Sequence, residues 1–154
     1  MSYCRLIYQS VCARNPIDNE DLRDLVQRST EHNRAAGITG LLLLSGNRFL
    51  QVLEGPSDAV NALFGRIMRD KRHRDVQLLT YEPIGDVYFD DWNMYLVDLF
   101  DLPRAPRDYL ARKYATHEGA VRIPNRLHEV YALLLDARSI CLTRPWEAPS
   151  SVPA

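Results

Sequence analysis

Gly37-Ile38-Thr39-Gly40-Leu41-Leu42-Leu43-Leu44-Ser45-Gly46-Asn47-Arg48-Phe49-Leu50-Gln51-Val52-Leu53-Glu54 is the stretch whose reading settles the architecture. Gly37 to Ser45 is an apolar run of strand length, Gly46-Asn47 is a turn, and Arg48 to Glu54 is a second run. The three together read as a β-hairpin. In the second strand, Phe49, Gln51 and Leu53 project to one face while Leu50, Val52 and Glu54 project to the other. Either face is mostly apolar. Gln51 therefore sits where an amide must find partners or cost about 1–3 kcal/mol unsatisfied.

Upstream, Ser2 to Ser10 alternates as a strand, with Tyr3, Arg5 and Ile7 on one face and Cys4, Leu6 and Tyr8 on the other. Asn15-Pro16 breaks the chain, and Asp18 is a suitable N-cap for a helix running to about Asn33. Leu22, Leu25, Val26 and Ser29 give that helix one narrow buried stripe. Downstream, Pro56 suits the first turn of a second helix, which ends near Lys71. Its apolar face is Val60, Leu63, Phe64, Ile67 and Met68. Strands are expected over Val76–Ile84 and Trp92–Leu99. Leu102-Pro103 and Pro106 end the sheet region, and two more helices follow over about Arg107–Thr116 and Asn125–Cys141. The last carries the stripe Leu127, Val130, Tyr131, Leu134 and Arg138.

The order β-α-β-β-α-β-β predicts an α+β, ferredoxin-like plan: a mixed five-stranded sheet with its first two helices on one face. The two C-terminal helices are the simplest cover for the other face. Residues 1–100 then form a binding domain and residues 101–142 a helical extension of it. Residues 143–154, a Pro-rich tail, read as disordered.

Composition narrows the function classes. The 154 residues are 46% apolar and 25% charged, with a formal net charge of −1, so a general nucleic-acid binder is disfavoured. The longest apolar stretch falls far short of the roughly 20 residues a membrane span needs. The N-terminus lacks the pattern of a signal peptide, which makes the cytoplasm the expected location. Cys4, Cys12 and Cys141 show no metal-type spacing, so no metal is expected. A symmetric homo-oligomer is the expectation, since closed assemblies dominate.

Function has to come from a site rather than from the plan. Tyr8, Gln51, Trp92 and Met94 lie on strands that can face one pocket, and His32-Asn33 closes the first helix. A phenol, an amide, an indole and a thioether beside two aliphatic helical stripes describe a slot for a flat, polar-edged ring.

At these residues the chain resembles the BLUF family of blue-light photoreceptors, in its short, stand-alone form. The matching stretches are Arg5-Leu6-Ile7-Tyr8-Gln9-Ser10, His32 to Leu42, Phe49 to Gly55, Arg69-Asp70-Lys71-Arg72-His73 and Trp92-Asn93-Met94. The resemblance implies FAD, with FMN or riboflavin as substitutes. The isoalloxazine ring would be gripped by Leu25 and Ile67, with its pyrimidine edge facing Asn33, His32 and Gln51. Arg66, Arg72 and His73, with Asp70 nearby, would meet the ribityl chain and phosphates. Tyr8 would donate an electron, and a proton would follow through Gln51. The amide then rotates or tautomerises and makes a new hydrogen bond to the flavin carbonyl, which shifts absorption to the red. The signal would pass through Met94 and the last strand to a separate effector protein. His32 stands where many members have a second Asn, and Asn93 where a Ser is common.

Taken singly, each residue has a plainer reading. A Tyr at a strand end is usually a packed aromatic, a Gln in a strand an edge residue, His32 and His73 surface or capping groups, and Trp92 and Met94 core. Two other functions compete: a flavin-dependent or acylphosphatase-like small enzyme on the same plan, and a ligand-free interaction module. The first lacks a Gly-rich phosphate loop and a nucleophile paired with a base, so the chain is not expected to be an enzyme.

Overall fold

Tyr3–Cys12 forms β1 and Arg48–Pro56 forms β3, and they run antiparallel at the centre of a five-stranded sheet. In the computed structural model the described residues are 2–13, 19–91, 93–99, 102–114 and 121–143. The remaining elements are α1 (Asn19–Ala36), β2 (Thr39–Ser45), α2 (Ser57–Arg69), β4 (His73–Ile84), β5 (Tyr95–Asp98), α3 (Arg104–Tyr114) and α4 (Leu127–Thr143). The strand order is β4-β1-β3-β2-β5, with β5 parallel to β2 and every other neighbour antiparallel. This is the expected mixed sheet of ferredoxin-like plan with one added strand.

The hairpin forms as its sequence dictates. Ser45 pairs with Arg48 across Gly46-Asn47, and Gly46 takes a φ of 63°, a conformation that costs glycine little. A second positive φ decides the geometry near the cavity. Gly37, at φ 73°, ends α1, with Ile38 N–H donating to Asn33 O (2.8 Å) and Gly37 N–H to Arg34 O (3.3 Å). This is a Schellman closure, and it fixes Asn33 in the last turn of α1 beside the start of β2.

Both faces of the sheet are buried. Cys4, Leu6, Tyr8, Leu42, Phe49 and Leu53 pack with Leu22 of α1 and Val60 of α2. On the opposite face Ile7, Leu41, Leu43, Leu50 and Val52 pack with Leu110 of α3 and Val130, Leu133 and Leu134 of α4. The C-terminal helices therefore cover the second face, as expected.

Several boundaries differ from the expectation. Pro56 is the last residue of β3 and the N-cap of α2, one position before the first helical residue. β4 begins at His73 rather than Val76, because Asp75 at φ 53° and register shifts against β1 absorb its irregular start. β5 has only four residues, so Met94 precedes the strand, and Trp92 lies outside the described residues. Met68 is 59% exposed, since α2 lies on the sheet along Ala59, Val60, Leu63, Phe64 and Ile67. On α4 the stripe is displaced: Leu127 is 42% exposed, and Leu133, Ala137 and Cys141 join Val130 and Leu134 in the core. Asp18 and residues 144–154 also lie outside the described residues.

Candidate functional site

Between α1, α2 and the β1–β3–β2 surface lies a cavity of about 280 Å³, a volume at the lower end for small-molecule sites. Each wall follows from a local pattern. The i, i+3, i+4 stripes of the helices turn Leu25, Ser29, Leu63 and Ile67 inward, and the strand alternation puts Tyr8, Leu42, Phe49 and Gln51 on the floor. Arg28, His32, Asn33, Arg66, Asp70, Arg72 and His73 complete the lining.

The floor carries a hydrogen-bonded relay. Tyr8 and Gln51 stand directly opposite each other in the β1–β3 pair. The Tyr8 hydroxyl donates to Gln51 Oε1, and Gln51 Nε2 donates to Met94 Sδ at 3.2 Å. Tyr8 is 3% exposed, Gln51 5% and Met94 fully buried. Burial, assisted by the negative charge of Asp70, pushes the Tyr8 phenol well above its ordinary range. The neutral phenol is thus the resting form, and any proton it loses must go to a specific neighbour.

Asn33 is 1% exposed. Its Nδ2 donates to Asn93 O at 2.9 Å, and its Oδ1 is buried with no hydrogen-bond partner among the described residues. Native buried acceptors rarely go unsatisfied, so an orphan in a cavity wall points to a donor on a bound molecule. A ring with an N–H beside a carbonyl, such as the pyrimidine edge of a flavin, supplies one.

The polar residues divide between the mouth and the far end. His32 is exposed and accepts from the Arg66 guanidinium, closing a link between α1 and α2 across the mouth. Burial and the adjacent Arg66 charge lower the His32 pKa, so its neutral form is favoured. Arg72 donates from Nε to both oxygens of Asp70 at 3.0 Å, which holds the Asp70 carboxyl below its usual range. His73 is the first residue of β4 rather than part of α2. Its Nε2–H donates to Ile67 O (2.7 Å), leaving Nδ1 to accept from the Ser10 hydroxyl (3.0 Å). Both ring nitrogens are engaged within the chain, and the ring stands edge-on to Tyr8 and Phe49.

All the sequence-predicted site residues on described positions except Met94 line the cavity, and Met94 reaches it through Gln51. Sequence reasoning missed Arg28, Ser29, Leu42, Phe49 and Leu63 as lining residues. Ser29 and Leu63 lay in the helical stripes and Phe49 on the Gln51 face, so the pattern held the signal. Nothing in the pattern singles out Arg28. Among the described residues there is no cluster of three or more potential metal ligands, and no helix is long and apolar enough to cross a membrane.

A family model described as "BLUF: Sensors of blue-light using FAD" matches residues 3–95. The photoactivated adenylate cyclase subunit beta of Euglena gracilis is 39% identical over 83 residues, which is 53% of this chain and 10% of that protein. The blue light- and temperature-regulated antirepressor BluF of Escherichia coli (strain K12) is 31% identical over 103 residues, 67% of this chain and 25% of that protein. The chain thus spans a tenth to a quarter of the length of these curated relatives. The dark-state structure of the BLUF protein BlrB superposes with a TM-score of 0.73 at 29% identity, covering 92% of this chain and 97% of that one. BlsA in its ground state gives 0.68 at 28% identity, covering 86% and 87%. The family match spans more than half of the chain, and the relatives agree with it: this protein belongs to the BLUF family of blue-light sensors that use a flavin.

Proposed function

We propose that Tyr8 and Gln51 are the photoactive pair and that the cavity between α1 and α2 is the flavin site. The observation that carries this reading is the buried relay from the Tyr8 hydroxyl through the Gln51 amide to Met94, built into the cavity floor. Asn33 would hold the ring edge through its orphaned Oδ1, Leu25 and Ile67 would grip its faces, and His32 would stand at the mouth with Arg66. Arg66, Arg72 and His73, with Asp70, would lie along the ribityl and phosphate portion, favouring FAD over the shorter flavins. When bound and excited by blue light, the flavin supplies a strong oxidant.

The chain's own groups do the rest. Tyr8 is buried and neutral, so giving up an electron makes its hydroxyl proton strongly acidic, and the acceptor it touches among the described residues is Gln51 Oε1. The Gln51 amide can swap donor and acceptor ends by turning or by tautomerising. Its resting orientation is selected by its neighbours, since a phenol donates to the carbonyl and a thioether can only accept from the NH₂. A turned amide loses the Met94 contact and presents its NH₂ to Tyr8. Trp92 and Met94 would carry the change onward.

Residues 1–100 act as the flavin-binding unit and residues 101–142 as its helical extension. The chain catalyses no reaction of its own and signals to a separate effector protein, as a homo-oligomer in the cytoplasm. The absorption spectrum of the purified protein tests the reading. A yellow protein with a reversible light-induced red shift is expected. Yellow colour without a shift would favour a flavoenzyme, and a colourless protein with no affinity for flavin would favour an interaction module.

A further inference from the structure

The side of β3 facing away from the cavity holds a charged cluster that the photochemical relay does not use. Glu54 is fully buried and Arg5, opposite it across the β1–β3 pair, is 5% exposed. Arg5 donates from Nε to Glu54 Oε2 at 2.8 Å, and its other nitrogens reach Glu82 and the Asp86 carbonyl at 3.1 Å. The Glu54 carboxylate also accepts the backbone N–H groups of Tyr88 (3.0 Å) and Phe89 (2.5 Å), while the Phe89 ring is fully buried in the core under α3 and α4. A buried ion pair is an expensive way to add stability, and here it holds three backbone groups of a connecting segment, the Asp86 carbonyl and the Tyr88 and Phe89 N–H groups. What the cluster achieves is to fix the path of residues 86–89.

That segment leads directly to the photoactive site. Five residues beyond Phe89 the chain reaches Met94, whose sulfur accepts from Gln51, and Asn93, whose carbonyl accepts from Asn33. Asn93 Nδ2 in turn donates to Ile38 O at 3.2 Å. Tyr88 and Phe89 are therefore fastened to Glu54, and Asn93 and Met94, a few residues on, to the cavity wall. We propose that Glu54 is a positioning residue for the photoreaction: its carboxylate sets where Met94 meets Gln51, and so how strongly the resting orientation of the amide is favoured. The proposal rests on Gln51 being the photoactive amide.

Glu54→Asp keeps the charge opposite Arg5 but withdraws the carboxylate from the Tyr88 and Phe89 amides. With flavin bound, the variant is expected to retain the red-shifted state and to return to the dark state about three- to tenfold more slowly, the scale set by weakening one hydrogen bond. In a Met94→Leu background, Glu54→Asp should add no further change, because its effect acts through the sulfur contact. Recovery at the wild-type rate in Glu54→Asp, or an equal slowing in the Met94→Leu background, overturns the proposal. Should Glu54→Asp fail to hold flavin, the double variant Arg5→Met/Glu54→Met removes the ion pair and the acceptor of the Tyr88 and Phe89 amides together and is judged by the same two criteria. A wild-type protein that binds flavin without any red shift would instead overturn the photochemical reading itself.

Discussion

Tyr8 and Gln51 face each other as direct cross-strand partners of β1 and β3, and the phenol hydroxyl donates to the amide oxygen. Because each is also buried in the cavity floor, the pair can be altered one hydrogen bond at a time without opening the core.

Tyr8→Phe should leave flavin bound, since one hydroxyl contributes only about 1 kcal/mol net, yet abolish the red-shifted state. Gln51→Leu should abolish it as well, because the side chain that can exchange donor and acceptor is gone. Difference spectra after blue illumination check both, and a normal shift in either variant removes that residue from the mechanism.

Asn33→Ala should weaken flavin binding by about 1–3 kcal/mol, which is roughly five- to more than a hundredfold in Kd. The carbonyl lost is the one whose Oδ1 has no partner among the described residues. Fluorescence titration with riboflavin isolates this effect from the phosphates, and an unchanged Kd would contradict it.

Arg72→Ala should weaken FAD and FMN while sparing riboflavin. The Arg72 fork is already turned onto Asp70, so the loss should be smaller than deletion of an unpaired phosphate ligand would give. Titrations with the three flavins separate the cases: equal losses for all three would place Arg72 in folding or ring binding rather than on phosphate.

Asp70 provides a pH signature. Its folded-state pKa lies below the ordinary 3.8, chiefly through its hydrogen bonds with Arg72. A carboxyl with a depressed pKa contributes stability that is present above its unfolded pKa and is lost as pH falls through the folded value. Wild type should therefore exceed Asp70→Asn in stability at neutral pH, with the gap closing as pH falls below about 3.8. Denaturant melts at stepped pH measure this, and a gap independent of pH would show that the charge contributes nothing.

The route to the C-terminal helices is the last expectation. Asp91, two residues beyond Phe89, pairs with Arg138 of α4 at 3.1 Å, and the Tyr131 hydroxyl of α4 donates to Glu82. Arg138 Nε is buried with no hydrogen-bond partner among the described residues, so a second donor is on hand if the Asp91 carboxylate shifts. Hydrogen exchange in dark and light should show a difference in α4 of the wild type that Met94→Ala removes while keeping flavin and the red shift. No difference in the wild type, or the same one in the variant, would exclude this route.

Period and turn chemistry alone determined the order of elements, the hairpin at Gly46-Asn47, the inward face of each central strand and the cavity-facing stripes of α1 and α2. Those features are local: alternation places Tyr8 and Gln51 on one face whatever else the chain does. The family motifs then marked the same residues from a second direction. What the local pattern could not decide was how long a strand continues and which of two apolar helix faces is used. In α4, Leu133-Leu134-Leu135 offers apolar residues on more than one side, and docking on Leu41, Leu43 and Leu50 selected Leu133 and Ala137 over Leu127. Met94 reads as a strand residue by alternation, but Gln51 engages its sulfur, Asn33 and Ile38 engage Asn93, and β5 begins only at Tyr95. His73 and Arg66 carry charge patterns that suit phosphate, yet Ser10, Ile67 and His32 engage them first. In each case the deciding partner lies more than 30 residues away along the chain or on another element, and a contact of that kind exists only once the sheet has brought the two together.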